Sequence, residues 1–366
     1  MLRPVPPTAR AALWRLIAAG AACVLALASG PTPAHAQATP QRAAVHGTVR
    51  SNLGDRIPYA VVSLEPGALR RFTDDSGTFA FPGLAPGTYH LRARQVGYKP
   101  LDTTVVVPGG GTADMDVSLE RLVVELEEIR VVARAGESRR CTEPGPPDAA
   151  VAPELAAVFD QLRQNAERYW LLADSYPALY RMERRFGRPD RYGRLQTIRI
   201  DTTELRTDAR WRYAPGRVVT DVRGPRGGTE AQVNLPGLPD FADTTFLANH
   251  CWSLRGLDTL AHAYYVRLDF RAAERITEPD ADGSAYLDPD SYLIRVVKVR
   301  LTRPGQAAYG LESMEATVAF REIVPSLVLP DRISSTEAYG ATAVVGSAEE
   351  QRTVDFRFLH ALPRLP

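Results

Sequence analysis

The chain has 366 residues, 45% hydrophobic and 24% charged, with 44 basic residues against 43 acidic ones. That length allows two ordinary domains, and the balance of charge excludes the broad basic field of a nucleic-acid-binding protein. All but two of the basic residues, Lys99 and Lys298, are arginine, which reads as genome composition rather than a phosphate-binding device. In chain order, residues 1–36 read as a secretory signal peptide. Arg3, Arg10 and Arg15 make a positive start, 16–28 an apolar run, and Ala34-His35-Ala36 a cleavage site between Ala36 and Gln37. The run is too short to span a bilayer, and no later apolar run is long enough to form a transmembrane helix. Cys23 opens a lipoprotein alternative, but Gly20 stands where a lipobox wants Leu and the apolar run continues past the cysteine. Cleavage would remove three arginines and no acid, taking the formal net charge from +1 to −2.

A short polar lead-in, 37–44, precedes a stretch with period two, 45–121. Pro58, Ala60, Val62 and Leu64 share one strand face; Phe79 and Phe81 alternate, as do Tyr89, Leu91 and Ala93, then Met115, Val117 and Leu119. Strict alternation over short runs marks half-buried strands. Asp74, Asp75, Ser76 and Gly77 supply turn chemistry, as do Ala85-Pro86-Gly87 and Pro108-Gly109-Gly110-Gly111. About seven strands fit this stretch, which favours a β-sandwich. Five motifs in order resemble the carboxypeptidase regulatory-like domain. They are His46-Gly47-Thr48-Val49, Pro58-Tyr59-Ala60-Val61-Val62, the Thr-Asp-x-x-Gly-x-Phe turn from Thr73 to Phe79, Gly87-Thr88-Tyr89 and Gly97-Tyr98. The resemblance implies a seven-stranded transthyretin-like, prealbumin-type sandwich. In that family the domain is an accessory beside zinc carboxypeptidase domains, at the front of TonB-dependent receptors, and in surface proteins. It implies attachment rather than a reaction.

Residues 122–153 read as a β-strand and a linker. Leu126-Glu127-Glu128-Ile129-Arg130-Val131-Val132 is similar to the stretch that opens the plug of TonB-dependent receptors, but about 230 residues remain, too few for a plug and a large barrel. Pro144, Pro146 and Pro147 then break the chain. Pro153-Glu154 opens a helix whose Leu155, Val158, Phe159, Leu162, Ala166, Tyr169 and Trp170 recur mostly at three- and four-residue steps, the pattern of a packing helix. Period two then returns, with strands expected at 197–200, 205–213, 263–270, 284–287, 292–301, 313–321, 327–338 and 353–359, and with 280–283 among the breaks. Residues 154–366 are thus expected to form an antiparallel sheet carrying one packing helix. A curved sheet with a single helix is faintly similar to the LolA-like lipoprotein-carrier half-barrel.

The chemistry is sparse. None of the six histidines has Glu three positions later, so the His-x-x-Glu zinc pair of a carboxypeptidase is missing. There is no Gly-x-Ser-x-Gly elbow, phosphate loop or Cys-x-x-Cys. His250 and Cys251 are adjacent, and neighbours on a strand point to opposite faces, so they do not make a nucleophile and base. Asp280-Ala281-Asp282-Gly283-Ser284, with Asp288 and Asp290 nearby, resembles the start of a calcium loop without its bidentate Glu; a hairpin turn explains it equally. Trp170, Trp211, Trp252, Tyr264, Tyr265 and Tyr292 could line a groove or fill a core. Two cysteines remain after cleavage, Cys141 and Cys251. An even count in an exported chain reads as one disulfide, with two buried thiols as the alternative.

The sequence reading is therefore a mainly β, exported, periplasmic or outer-membrane-associated protein, non-enzymatic, with no cofactor and no metal. Its task would be binding or scaffolding in the bacterial envelope, with a protein, glycan or lipid ligand. The alternatives are a carrier of an apolar ligand in the C-terminal sheet, glycan binding by the sandwich through Tyr59, Phe72 or Tyr98, and a small transmembrane barrel.

Overall fold

The computed structural model describes residues 43–124 and 140–359, apart from 191, 193, 210, 224–228 and 341–343. The expected signal segment with its expected Ala36–Gln37 cleavage site, and the segment 126–132 expected to be plug-like, lie outside the described residues.

Seven strands build the sandwich: β1 (Ala43–Ser51), β2 (Val61–Glu65), β3 (Leu69–Phe72), β4 (Thr78–Leu84), β5 (Gly87–Arg94), β6 (Leu101–Val107) and β7 (Thr112–Leu119). One sheet runs β4-β1-β7, with β1 and β7 parallel; the other runs β3-β2-β5-β6, all antiparallel. The alternating positions point inward: Val45, Val49, Val62, Leu64, Phe79, Phe81, Leu91 and Leu119 are buried in one cluster, each contributing on the order of 1.5–3 kcal/mol. Gly47 has a steric cause, since a Cβ there would lie 2.2 Å from the Met115 carbonyl and 2.5 Å from the Phe79 ring. In the Thr-Asp-x-x-Gly-x-Phe turn, the Asp74 carboxylate accepts from the Ser76 and Thr78 amides at 2.9 and 2.8 Å. Gly77 supplies φ +73. Buried Thr73 bonds both the Ala60 amide and the Ile57 carbonyl, tying the turn to the loop before β2.

Helix α1 (Pro153–Ser175) follows, with Pro at its start and Val158, Phe159, Leu162, Ala166 and Tyr169 buried as the spacing requires. Then come β8 (Ala178–Pro189), β9 (Leu195–Arg206), a separate hairpin of β10 (Val219–Arg223) and β11 (Thr229–Val233), a 3₁₀ turn (Leu238–Ala242) and α2 (Thr244–Ala248). Seven strands complete the domain: β12 (His250–Leu260), β13 (Ala263–Ala272), β14 (Ala281–Leu287), β15 (Ile294–Leu301), β16 (Leu311–Val324), β17 (Leu327–Tyr339) and β18 (Val344–Phe358). These seven, with β8 and β9, form one antiparallel sheet of nine strands, β12-β13-β14-β15-β16-β17-β18-β8-β9. Its ends, β12 and β9, do not meet, so the barrel alternative fails.

Two further expectations fail locally. The strand expected at 205–213 ends at Arg206, and 280–283 is no break because β14 begins at Ala281. Asp280 suggested a turn, but its carboxylate is buried. It accepts from the Tyr213 hydroxyl and the Gly216 amide, each at 2.8 Å, and from the Ala281 amide at 2.7 Å.

On the inner face of the sheet, α1 and α2 fill the space over β12–β15. Phe159 meets Trp252 edge-on at 4.8 Å, and Phe241 and Phe246 pack on Phe270 at 5.5 and 5.7 Å. Cys141 and Cys251 are joined as a disulfide across 110 residues. That bond pins the end of the linker to the start of β12.

Candidate functional site

Two polar places stand out, and the first is the junction between α1 and the sandwich. Gln161, Gln164, Asn165 and Arg168 are buried, although their residue types favour solvent. They recur at helical spacing and make a second stripe on α1. The Gln161 carbonyl oxygen accepts from the Gly97 amide at 2.7 Å, and the Asn165 amide donates to the Tyr292 carbonyl at 3.0 Å. Arg168 donates to the Ser326 carbonyl (3.1 Å), the Gln95 side chain (2.8 Å) and the Tyr59 carbonyl. Its guanidinium lies 5.5 Å from the Phe72 ring. Burial lowers its pKa to about 9. Tyr59 and Ser326 both hold positive φ, +56 and +62, so two uncommon backbone conformations sit at carbonyls that Arg168 reaches. Around this centre Arg94 bridges Glu167 and Asp160 at 2.6 and 3.3 Å, with the arginine side chain 14% exposed.

The second place is a groove of about 280 Å³ on the outer face of β13–β16. Strand register sets it out in rungs: Asp269 lies opposite Ser284, Ser284 opposite Lys298, Lys298 opposite Thr317, and Asp282 opposite Arg300. The Asp269 carboxylate accepts from Arg255 Nε (2.8 Å), Arg267 Nε (2.7 Å) and Ser284 Oγ (2.7 Å). Burial would raise its pKa, but the bonds from Arg267, Ser284 and Arg255 outweigh that and hold the carboxyl below its ordinary range. Carboxylates form the floor and guanidiniums the rim. Asp269 and Asp282 are 8% and 18% exposed against 46% for Arg255 and 62% for Arg300. Glu315 adds an exposed carboxylate at one wall. Such a surface can orient a charged partner.

The other sequence candidates are dispersed. Cys251 is in the disulfide, and His250 is fully buried with its ring nitrogens 2.8 and 3.1 Å from the Phe246 and Ala281 carbonyls. Burial lowers the His250 pKa against the opposing pull of those carbonyls and of Asp280. Asp282 holds the Ala272 amide and Arg300, and Asp288 caps the turn at Asp290 and Ser291. The Asp cluster therefore serves the backbone, and among the described residues no three His, Cys, Asp or Glu converge on a point fit for a metal. Trp252 and Tyr292 are core residues, Trp170 donates to the Pro239 carbonyl, and Tyr264 is exposed, so the aromatic set lines no common groove. For glycan stacking, Phe72 is buried against Tyr176, and Tyr59 donates to Asp75 at 2.6 Å. Burial first and Asp75 second raise the Tyr59 pKa to about 12. Sequence reasoning missed the Arg168 junction. Its only trace was amide residues, rather than Lys or Glu, at helical spacing beside the apolar stripe.

Residues 44–120 match the family model of the carboxypeptidase regulatory-like domain. No curated protein sequence matches the chain. Among solved structures the chain is similar to an outer membrane lipoprotein-sorting protein domain from Vibrio parahaemolyticus. The identity is 11% over 56% of this chain and 95% of the other, with a TM-score of 0.33. It is also similar to a LolA superfamily protein from Nitrosomonas europaea (13% identity, 54% and 94% covered, TM-score 0.27). Chlorocatechol 1,2-dioxygenase from Pseudomonas putida aligns at 17% identity over 22% of this chain, with a TM-score of 0.18. The chain spans 61% of that enzyme and 57% of a hydroxyquinol 1,2-dioxygenase from the same species.

Proposed function

We propose that this chain is an exported, non-enzymatic binding and scaffolding protein of the bacterial cell envelope. One observation carries the reading. The regulatory-like sandwich is fastened through buried Arg168 to α1, and α1 in turn fills the inner face of the sheet. What such a body offers a partner is its outer surface, chiefly the polar groove of Arg255, Arg267, Lys298 and Arg300. The accessory character of the matched domain supports the same reading. Export is supported by the pattern of residues 1–36 and by the disulfide, since such bonds persist in oxidising compartments. A carrier of apolar cargo in the sheet would have to displace Phe159, Leu162, Phe241 and Phe246, a cost of several buried side chains.

Two measurements test this. Photocrosslinking in the periplasm from position 298 is expected to yield a discrete adduct; a probe at Val106, exposed on the sandwich, serves as the control. Native mass spectrometry of the protein taken from its own periplasm is expected to give the bare chain, two hydrogens lighter than its reduced form. A mass excess that leaves on activation with lipid fragments would replace the reading by that of a carrier. Hydrolysis of peptides or esters abolished by one point substitution would replace it by that of an enzyme.

A further inference from the structure

The nine-stranded sheet ends at β9, and among the described residues nothing pairs with its outer edge. That edge is long: β9 spans 12 residues, eight exposed and four half-buried. It carries no proline and no lysine, and its charges, Arg199, Asp201, Glu204 and Arg206, are of both signs. Ile198 and Ile200 stand 75% and 58% exposed. The register against β8 slips once, at Ile198, which no β8 residue opposes. An open edge carrying two exposed isoleucines and charges of both signs is a template for another strand.

We propose that the occupant is a second copy of this chain, paired antiparallel along β9 with a dyad through Ile200. This goes beyond the proposed function and does not depend on it. Opposed residues in an antiparallel pair share a face, so the dyad of a symmetric pair must pass through a residue. A dyad at Arg199 sets arginine against arginine, and one at Asp201 sets aspartate against aspartate. A dyad at Thr202 sets Ile200 against Glu204 and Ile198 against Arg206. With the dyad at Ile200, Ile200 meets Ile200 and Arg199 meets Asp201 twice, and regular pairing ends at the bulge at Ile198, beyond which Leu195, Gln196 and Thr197 change face. Within one strand Arg199 Nε already lies 3.1 Å from Asp201. Pairing would join two such ion pairs into a ring of alternating charge. The centre of the strand, 199–201, is self-complementary in that register, and opposite charges and paired apolar side chains across strands are the unit of sheet stabilisation.

The test is a concentration series of the purified chain by sedimentation, with two kinds of variant. Wild type is expected to show a monomer–dimer equilibrium. Arg199→Asp and Asp201→Arg are each expected to weaken dimerisation by about tenfold through like charges across the dyad, and the double exchange to restore it. Ile200→Cys is expected to form an intermolecular disulfide under mild oxidation, while Glu204→Cys, displaced from the dyad, does not. The Cys variants keep the trial decisive should a charge variant misfold. A wild type that stays monomeric throughout, a dimer indifferent to both charge reversals, or equal cross-linking at 200 and 204 would overturn the proposal.

Discussion

Asp240 lies in the 3₁₀ turn before α2, 7% exposed, and its carboxylate accepts from the Gly237 amide at 2.8 Å. Burial raises its pKa to about 7, and the single bond from Gly237 does not compensate. An acid whose pKa is raised by folding favours the folded state only while it is protonated. Its contribution is full below the unfolded value near 3.8, falls as pH rises, and is gone once pH passes about 7. Asp240→Asn keeps an oxygen for the Gly237 amide and removes the charge. We expect the variant to be more stable than wild type at pH 8, by up to about 4 kcal/mol, and to converge with it near pH 4. Urea unfolding at the two pH values measures this; equal midpoints at pH 8 would mean that the carboxylate is comfortably hydrated.

At the scale of elements, Gly97 shows how a corner is docked. It holds φ +84, its amide donates to Gln161 of α1, and a Cβ there would lie 2.9 Å from the Ser291 carbonyl. Gly97→Ala therefore meets both strain and backbone contact, costing on the order of 2–3 kcal/mol. Gly54, at φ +92 with open space around it, is expected to cost less when changed to Ala, about 1 kcal/mol. Chemical denaturation of the two variants makes the comparison. The Gly97-Tyr98 motif was legible in the sequence as part of the family resemblance, but nothing there showed that it meets α1. The same holds more widely. Alternation located the sandwich, as in β4 and β5, because one face of each strand is dry. The apolar steps from Val158 to Tyr169 located α1. β12 escaped because its Gly256 bulge breaks the period between Leu254 and Leu257. Asp280 misled because a buried carboxylate and a turn carboxylate are the same letter. The polar stripe of α1 was opaque for a similar reason: amides that bond another domain look like amides that bond water.

The whole molecule is held by two long-range devices of different kinds. The Cys141–Cys251 disulfide closes 110 residues and acts mainly on the unfolded chain, worth on the order of 4–5 kcal/mol in the chain-entropy model. Reduction, or Cys141→Ser with Cys251→Ser, is expected to lower Tm by several degrees without altering the native far-UV circular dichroism. The Arg168 junction acts on the folded state. The sandwich has its own closed core around Phe79 and Phe81, and the sheet domain has another around Trp252 and Phe270. Two such cores would unfold separately unless the contact between them were expensive to break. Arg168 makes it so, because removing the guanidinium takes the donor from the Tyr59 and Ser326 carbonyls and from Gln95 Oε1 together. Deleting one buried partner of this kind costs on the order of 3–5 kcal/mol. Lysine is no substitute, having one nitrogen where three directions must be served. Calorimetry is expected to give one cooperative transition for wild type and two for Arg168→Ala, with the sandwich transition displaced. Two transitions already in wild type would make the junction a loose contact, and the sandwich a tethered accessory after all.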